Sequence, residues 1–224
     1  MKQVRTFIAI ELDETINAAL ADLQGQLKAE VPQGSVRWVK PGGIHLTLKF
    51  LGDVPANRIE EIERALTQAC VGFPAFSLSV GGLGCFPNPQ RPRVVWVGVQ
   101  EESGTLARLQ KAIEDGMEEL GFAPEGRKFH AHLTLGRVRR RTSSGDVRRL
   151  GRLVRESDIG QLGQMEARAV SMIKSDLRPT GAVYTQLAAA TLLFAEGLLT
   201  EVGRGCGQET LPNLKLAAVR LEGT

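Results

Sequence analysis

The tetrapeptide His-Leu-Thr-Leu occurs twice, at residues 45–48 and again at residues 132–135. The copies start 87 residues apart (132 − 45) in a chain of 224. Each lies in an alternating segment, IHLTLKFL at 44–51 and FHAHLTLGRV at 129–138. Such alternation is the pattern of a strand with one buried face, and its repetition implies two related halves that face each other. On a strand the histidine and threonine project to one side and the leucines to the other. The leucine face anchors the strand, while the polar face presents an imidazole and a hydroxyl about 6–7 Å apart. Burying those groups unpaired is unfavourable, so that face meets water or a ligand.

The rest of the pattern gives roughly eight strands and four helices. A strand over 4–11 leads to a helix that Asp13 caps, with Ile16, Leu20, Leu23 and Leu27 at helical spacing. Pro41-Gly42-Gly43 marks a turn, and 85–93 is a proline-rich loop. Pro55 opens a second helix bearing Ile59, Ile62 and Leu66. Ser103 caps a third with Leu106, Leu109, Ile113, Met117 and Leu120, and a basic helix covers 146–155. Further strands are expected at 36–39, 76–83, 94–99, 165–174 and 182–189, the one at 94–99 central. Strands and helices do not alternate singly, so a mixed, mainly antiparallel α+β fold is expected rather than a doubly wound one. Residues 1–190 form the folded body in this reading. Residues 191–224, with GRGCG at 203–207, are an appended tail of unknown role, with a short helix over 192–202.

Composition excludes several classes. The chain is 42% apolar and 24% charged, which argues against extensive disorder. No apolar run approaches the ~18–20 residues of a membrane span. The N-terminal stretch reaches acidic residues before any long apolar run, so no signal peptide is expected and the cytoplasm is the expected compartment. Cys70, Cys85 and Cys206 form no CxxC pair, which indicates neither a disulfide framework nor a cysteine-rich zinc site. Net charge is only +3, but Arg137, Arg139, Arg140, Arg141, Arg148, Arg149, Arg152 and Arg155 lie in one stretch that contains a single acid before its last arginine, Asp146. That run suits phosphate contacts, and equally a solvated helix face.

Two His-x-Thr strands side by side give a cleft with two imidazoles and two hydroxyls. An imidazole titrates near ~6.5, so one can be neutral and take a proton from water while the other, protonated, gives one to a leaving oxygen. The hydroxyls can donate to non-bridging phosphate oxygens. The pair therefore suits in-line phosphoryl chemistry.

The paired motifs resemble those of the two-histidine phosphoesterase family, and more narrowly the RNA 2′,3′-cyclic phosphodiesterases historically called 2′-5′ RNA ligases. RTFIAIEL at 5–12, VRWVKPGGIHLTLKFLGDV at 36–54, GLGCFPNPQRPRVVWVGV at 82–99, RKFHAHLTLGR at 127–137 and SDLRPTGAVYTQL at 175–187 carry the resemblance, over residues 1 to about 189. It implies a bilobed α+β fold: two mainly antiparallel sheets related by a pseudo-twofold, helices outside, and an active-site cleft between the lobes. It implies metal-independent hydrolysis of a terminal 2′,3′-cyclic phosphate to a 2′-phosphate, with no cofactor, and a reversible 2′-5′ joining reaction. His45 would be the proton donor to the 3′ oxygen and His132 the proton acceptor from water. Thr47, Thr134 and Arg137 would bind phosphate. Phe50 and Phe129 resemble family aromatics near the cleft, although alternation puts Phe129 opposite His132, where packing is its reading. The family has proline where this chain has Ala131.

Other readings stay open. His45, His130 and His132 are the only histidines, and their convergence on zinc would need further ligands that no motif supplies. His130 falls on the same face as His132, as a rim residue or a substrate contact. An RNA-end-binding module without turnover would use the same cleft and arginines, but RNA-binding aromatic motifs are missing. The substrate can be an RNA end or a small cyclic nucleotide, and a monomer without membrane association is the default expectation.

Overall fold

β1 (Gln3–Glu11) runs into Asp13, whose carboxylate accepts the Ile16 N–H at 2.8 Å and starts α1 (Glu14–Glu30). Ile16, Leu20, Leu23 and Leu27 are buried along one face, as their spacing predicts. The computed structural model describes residues 2–178 and 181–193. β2 (Val36–Trp38) and β3 (His45–Pro55) come next. Pro55 does not open the second helix. Pairing with β1 carries β3 as far as Pro55, and a 3-10 turn at Ala56–Arg58 precedes α2 (Ile59–Cys70). After β4 (Phe76–Phe86) and β5 (Val94–Gln100) comes α3 (Thr105–Glu119). Its start is organised by Glu101 together with Ser103, whose hydroxyl accepts the Thr105 N–H at 3.3 Å. One carboxylate oxygen accepts the Ser103 N–H at 2.8 Å and the other the Leu106 N–H at 3.1 Å. Then come β6 (His132–Val138) and α4 (Ser144–Glu156), capped by Ser143.

The expected strand over 165–174 is two strands, which makes nine in all among the described residues. β7 (Gln161–Ala167) pairs with β4, whereas β8 (Ala169–Arg178) pairs with β1 and β9 (Gly181–Thr191). The chain crosses between the halves of the molecule at Arg168, and both sides of the crossing are apolar enough to hide it in the pattern.

The strand order is β7-β4-β5-β6-β3-β1-β8-β9, with β2 also on β6, and every named pairing is antiparallel. The narrowest join is β3 with β6, where Leu46 opposite Leu133 is the single register pair. That seam divides the sheet into two lobes, and the architecture is a bilobed, mainly antiparallel α+β fold. α1 and α4 pack on the β4–β7 lobe, and α2 and α3 on the other. A Cβ on Gly151 of α4 would come within 1.8 Å of the Pro89 carbonyl oxygen, so only glycine lets the helix sit that close to the 87–93 loop. The main apolar core lies between sheet and helices, and a separate small cluster of Phe7, Ala9 and Ile173, with Tyr184 against it, occupies the opposite face.

Leu192 is fully buried. Leu193 bridges to Pro74, accepting the Ala75 N–H at 2.7 Å, so these two residues extend the body beyond 190 and do not begin a helix. The rest of the 192–202 helix lies outside the described residues. Among the described residues no helix is long and apolar enough to cross a membrane.

Candidate active site

Leu46 and Leu133 are both fully buried at the seam. Because β3 and β6 run antiparallel, an approximate twofold passes between them and brings His45 across from Thr134, and Thr47 across from His132. The two copies of the motif therefore form one constellation.

Plain alternation fails immediately after each threonine, and it fails in the same way twice. β1 pairs Ala9 with Thr47 and then Ile8 with Lys49, which skips Leu48. β5 pairs Trp96 with Thr134 and then Val95 with Gly136, which skips Leu135. Each extra residue inverts the facing of the residues after it. Lys49, which alternation places beside His45 and Thr47, is buried at 4% exposure, and Phe50 comes to the cleft side at 64%. In β6 the inversion takes Gly136 inward and turns Arg137 to the cleft side. Phe50 and Arg137 thus hold equivalent positions, one apolar and one cationic. The carbonyls of the skipped leucines are met by glutamines from the helices. Gln24 of α1, fully buried, donates to Leu135 and Val39, both at 2.9 Å, and Gln110 of α3 lies 3.4 Å from Leu48. Neither glutamine is a candidate from sequence, yet each lies on the apolar stripe of its helix, a polar residue where a core residue is due.

His45 Nδ1 donates to the Gly43 carbonyl at 3.1 Å and His132 Nδ1 to the His130 carbonyl at 2.7 Å. A carbonyl only accepts, so both rings carry their proton on Nδ1 when neutral and present Nε2 as a free base. His45 stacks on Phe7 (ring centroids 4.5 Å) and meets the edge of Tyr184 at 5.1 Å. His132 is flanked by Phe86 at 5.0 Å and Trp96 at 6.2 Å. Trp96 lies over Gly84, where a Cβ would come within 2.2 Å of the indole. Burial lowers the His45 imidazole from 6.5 to about 4. The His132 imidazole is also lowered, by burial first and then by the charges of His130 and Arg137.

The His45 shift has a consequence for stability. Between about pH 6.5 and 4 the unfolded chain binds a proton that the folded ring refuses, so the His45 contribution is complete above pH 6.5 and is lost as the pH falls towards 4. The shift corresponds to at most about 3 kcal/mol, and less to the extent that the ring keeps solvent contact. Urea midpoints at pH 7 and 4.5 should differ less for His45→Gln than for the wild type. Equal drops in both proteins would contradict a buried neutral imidazole.

Thr47 and Thr134 are partly exposed, as the motif predicts. His130 is exposed and stacks with His132 at 6.2 Å, on the face expected for it. Phe129 packs against the main core, in line with its packing reading. The arginine run divides. Arg137, Arg139, Arg140 and Arg141 border a groove with Arg37, while Arg148, Arg149, Arg152 and Arg155 lie on α4. Among the described residues no group of three or more His, Cys, Asp or Glu side chains is placed to hold a metal ion. Cys70 and Cys85 are free and buried.

A family model described as LigT-like phosphoesterase matches the chain twice, over residues 10–96 and 97–184, one motif in each match. The chain belongs to the LigT-like phosphoesterase family. It is 36% identical to the RNA 2′,3′-cyclic phosphodiesterase of Methanothermobacter thermautotrophicus over 185 residues, 83% of this chain and 97% of that one. It is also 36% identical to the Archaeoglobus fulgidus protein of the same name, over 82% of this chain and 98% of that one. Among solved structures, a Thermus thermophilus protein matches with a TM-score of 0.69 at 25% identity, over 85% of this chain and 99% of that chain. E. coli LigT in complex with 3′-AMP matches with a TM-score of 0.67 at 23% identity, over 85% and 99%, a likeness of fold. Each of the two matches holds one motif and the bulge that follows it, as a duplicated unit would leave, and each contributes strands to both lobes.

Proposed function

We propose that this LigT-like phosphoesterase opens a 2′,3′-cyclic phosphate at an RNA end to a 2′-phosphomonoester, without a metal, using His45 as proton donor and His132 as proton acceptor. The observation that carries this reading is the pair of imidazoles across the Leu46–Leu133 seam, each fixed through Nδ1 with Nε2 free. The names of the relatives in the family point to the same reaction.

In this mechanism His132 Nε2 takes a proton from water as the oxygen attacks phosphorus. The bond from phosphorus to the 3′ oxygen breaks, and His45 Nε2–H protonates that oxygen. The products are a 2′-phosphate and a 3′-hydroxyl. Thr47 and Thr134 donate to the non-bridging oxygens, and Arg137 offsets their charge. Arg137 acts on His132 in a further way, because its charge favours the neutral form that a base requires. His45 is neutral in the empty cleft at neutral pH, and the anionic phosphate supplies the opposite charge that favours its protonation. When an RNA 5′-hydroxyl replaces water, the same proton transfers give a 2′-5′ linkage. We infer that the enzyme works as a monomer in the cytoplasm, and the scheme requires no group from a second chain.

The test is incubation of a short RNA ending in a 2′,3′-cyclic phosphate with the protein in EDTA, followed by identification of the phosphomonoester. A 2′-phosphate is expected. A 3′-phosphate would place the donor on the wrong oxygen, loss of turnover in EDTA would restore a metal, and no turnover by folded protein would leave an RNA-end-binding module.

A further inference from the structure

Arg37 on β2 and Arg137 on β6 are a direct cross-strand pair. Like charges in that position repel, so the pair is unfavourable unless an anion lies against it. Arg139, Arg140 and Arg141 lie in the next turn, and with Arg37 and Arg137, all exposed, they line an open surface groove of about 450 Å³. That volume suits a nucleotide-sized group. The turn is fixed to the start of β2: the Arg139 N–H and the Thr142 hydroxyl both donate to the Ser35 carbonyl, at 2.9 and 2.8 Å. Elsewhere in the protein arginines find acids, as Arg58 does with Glu61, Arg155 with Glu156 and Arg168 with Glu166. Among the described residues none of the five groove guanidiniums has a carboxylate partner. The groove adjoins the cleft through Arg137, which lines it and faces the cleft side of β6 beyond the bulge. The charges of Arg137 and Arg37 are also felt at the Tyr184 phenol, which burial raises and they lower, and the edge of that ring meets His45.

We propose that this arginine groove is a second phosphate subsite, which holds an internucleotide phosphate of a single-stranded RNA whose cyclic end lies at His45 and His132. It gives an RNA end a second point of attachment that a cyclic mononucleotide lacks. The proposal rests on the cyclic-phosphate reading for where the RNA ends. Its anion chemistry stands on the arginines alone. Guanidinium forks match phosphate oxygens in two-point contacts, and each contact displaces a counterion.

The experiment compares adenosine 2′,3′-cyclic phosphate with a tetranucleotide ending in the same group, using wild type, Arg37→Gln, and the triple variant Arg139→Gln/Arg140→Gln/Arg141→Gln. Wild type should prefer the tetranucleotide in kcat/KM by at least about tenfold. Both variants should keep their activity on the mononucleotide and lose most of that preference through KM, since the subsite binds substrate and transition state alike. Equal kcat/KM of the wild type on both substrates, or equal losses on both in the variants, would overturn the subsite. A second readout is independent of turnover: anisotropy of a labelled tetranucleotide bearing a 3′-phosphate, titrated across salt concentrations. The slope of log affinity against log salt should fall by about 0.7 for each phosphate contact removed. If wild type hydrolyses neither substrate but binding keeps this dependence on the arginines, the cyclic-phosphate reading fails and the subsite stands. Binding indifferent to the substitutions removes the subsite whatever the enzyme hydrolyses.

Discussion

Replacing either His45 or His132 with alanine should lower kcat on an RNA 2′,3′-cyclic phosphate by about 10²–10⁴-fold, the range expected when a positioned proton donor or acceptor is removed. The double replacement should lose little more, because a donor and an acceptor that act in one displacement fail together. The expectation rests on position as much as on residue type. Each ring is oriented by a carbonyl two residues upstream and packed against aromatic neighbours, so no other base can take its place without rebuilding a strand. His130 is the nearest substitute for His132, but it is exposed and meets Phe86 and Trp96 beside His132 rather than in its place. Single-turnover rates at saturating RNA separate chemistry from binding, and urea titration checks that the variants fold. A loss of less than tenfold in either variant would remove that histidine from the proton transfers.

Both motifs are legible because strand alternation and repetition are local signals. So are the helices whose apolar stripes match the burial. The features that escape a linear reading are set by contacts distant in sequence. The bulges after Thr47 and Thr134 leave no mark in HLTLKF or HLTLGR, and alternation through them puts Lys49 in the cleft and Phe50 and Arg137 away from it, the reverse of what the pairing with β1 and β5 imposes. The second phosphate subsite needs Arg37, which lies 100 positions (137 − 37) before the residue it pairs with, in a stretch with no basic run of its own. The break at Arg168 is hidden because both strands are apolar around it, Met165 and Ala167 before and Val170, Met172 and Ile173 after, so no polar gap marks the change of face. Residue types at the candidate site can be read along the chain, but the register of the sheet decides which of them share it.

The inverted Lys49 carries the second large effect. Its ammonium forms a buried ion pair with Glu114 of α3 and donates to the Ala123 carbonyl at 3.0 Å. Glu114 also accepts the Glu125 N–H at 2.7 Å and lies 3.3 Å from Gln110, the residue that reaches the Leu48 carbonyl. The pair therefore ties together β3, α3 and the segment that leads to His132. Lys49→Met leaves a carboxylate with little access to water and no cation, and should destabilise the fold by about 3–5 kcal/mol. Glu114→Leu alone strands the ammonium, which is 2% exposed, with a loss of similar order. The double variant Lys49→Met/Glu114→Leu should recover much of either loss, because replacing a buried pair with apolar groups removes the desolvation penalty together with the attraction. Urea midpoints at unchanged slope would measure all three. Single losses below about 1 kcal/mol would mean that water reaches the pair. A double variant as unstable as the sum of the singles would mean that the hydrogen bonds to Ala123 and Glu125, rather than the charges, hold the segment. In the second case kcat should fall with stability, since the strand entering at His132 would have lost its anchor to β3.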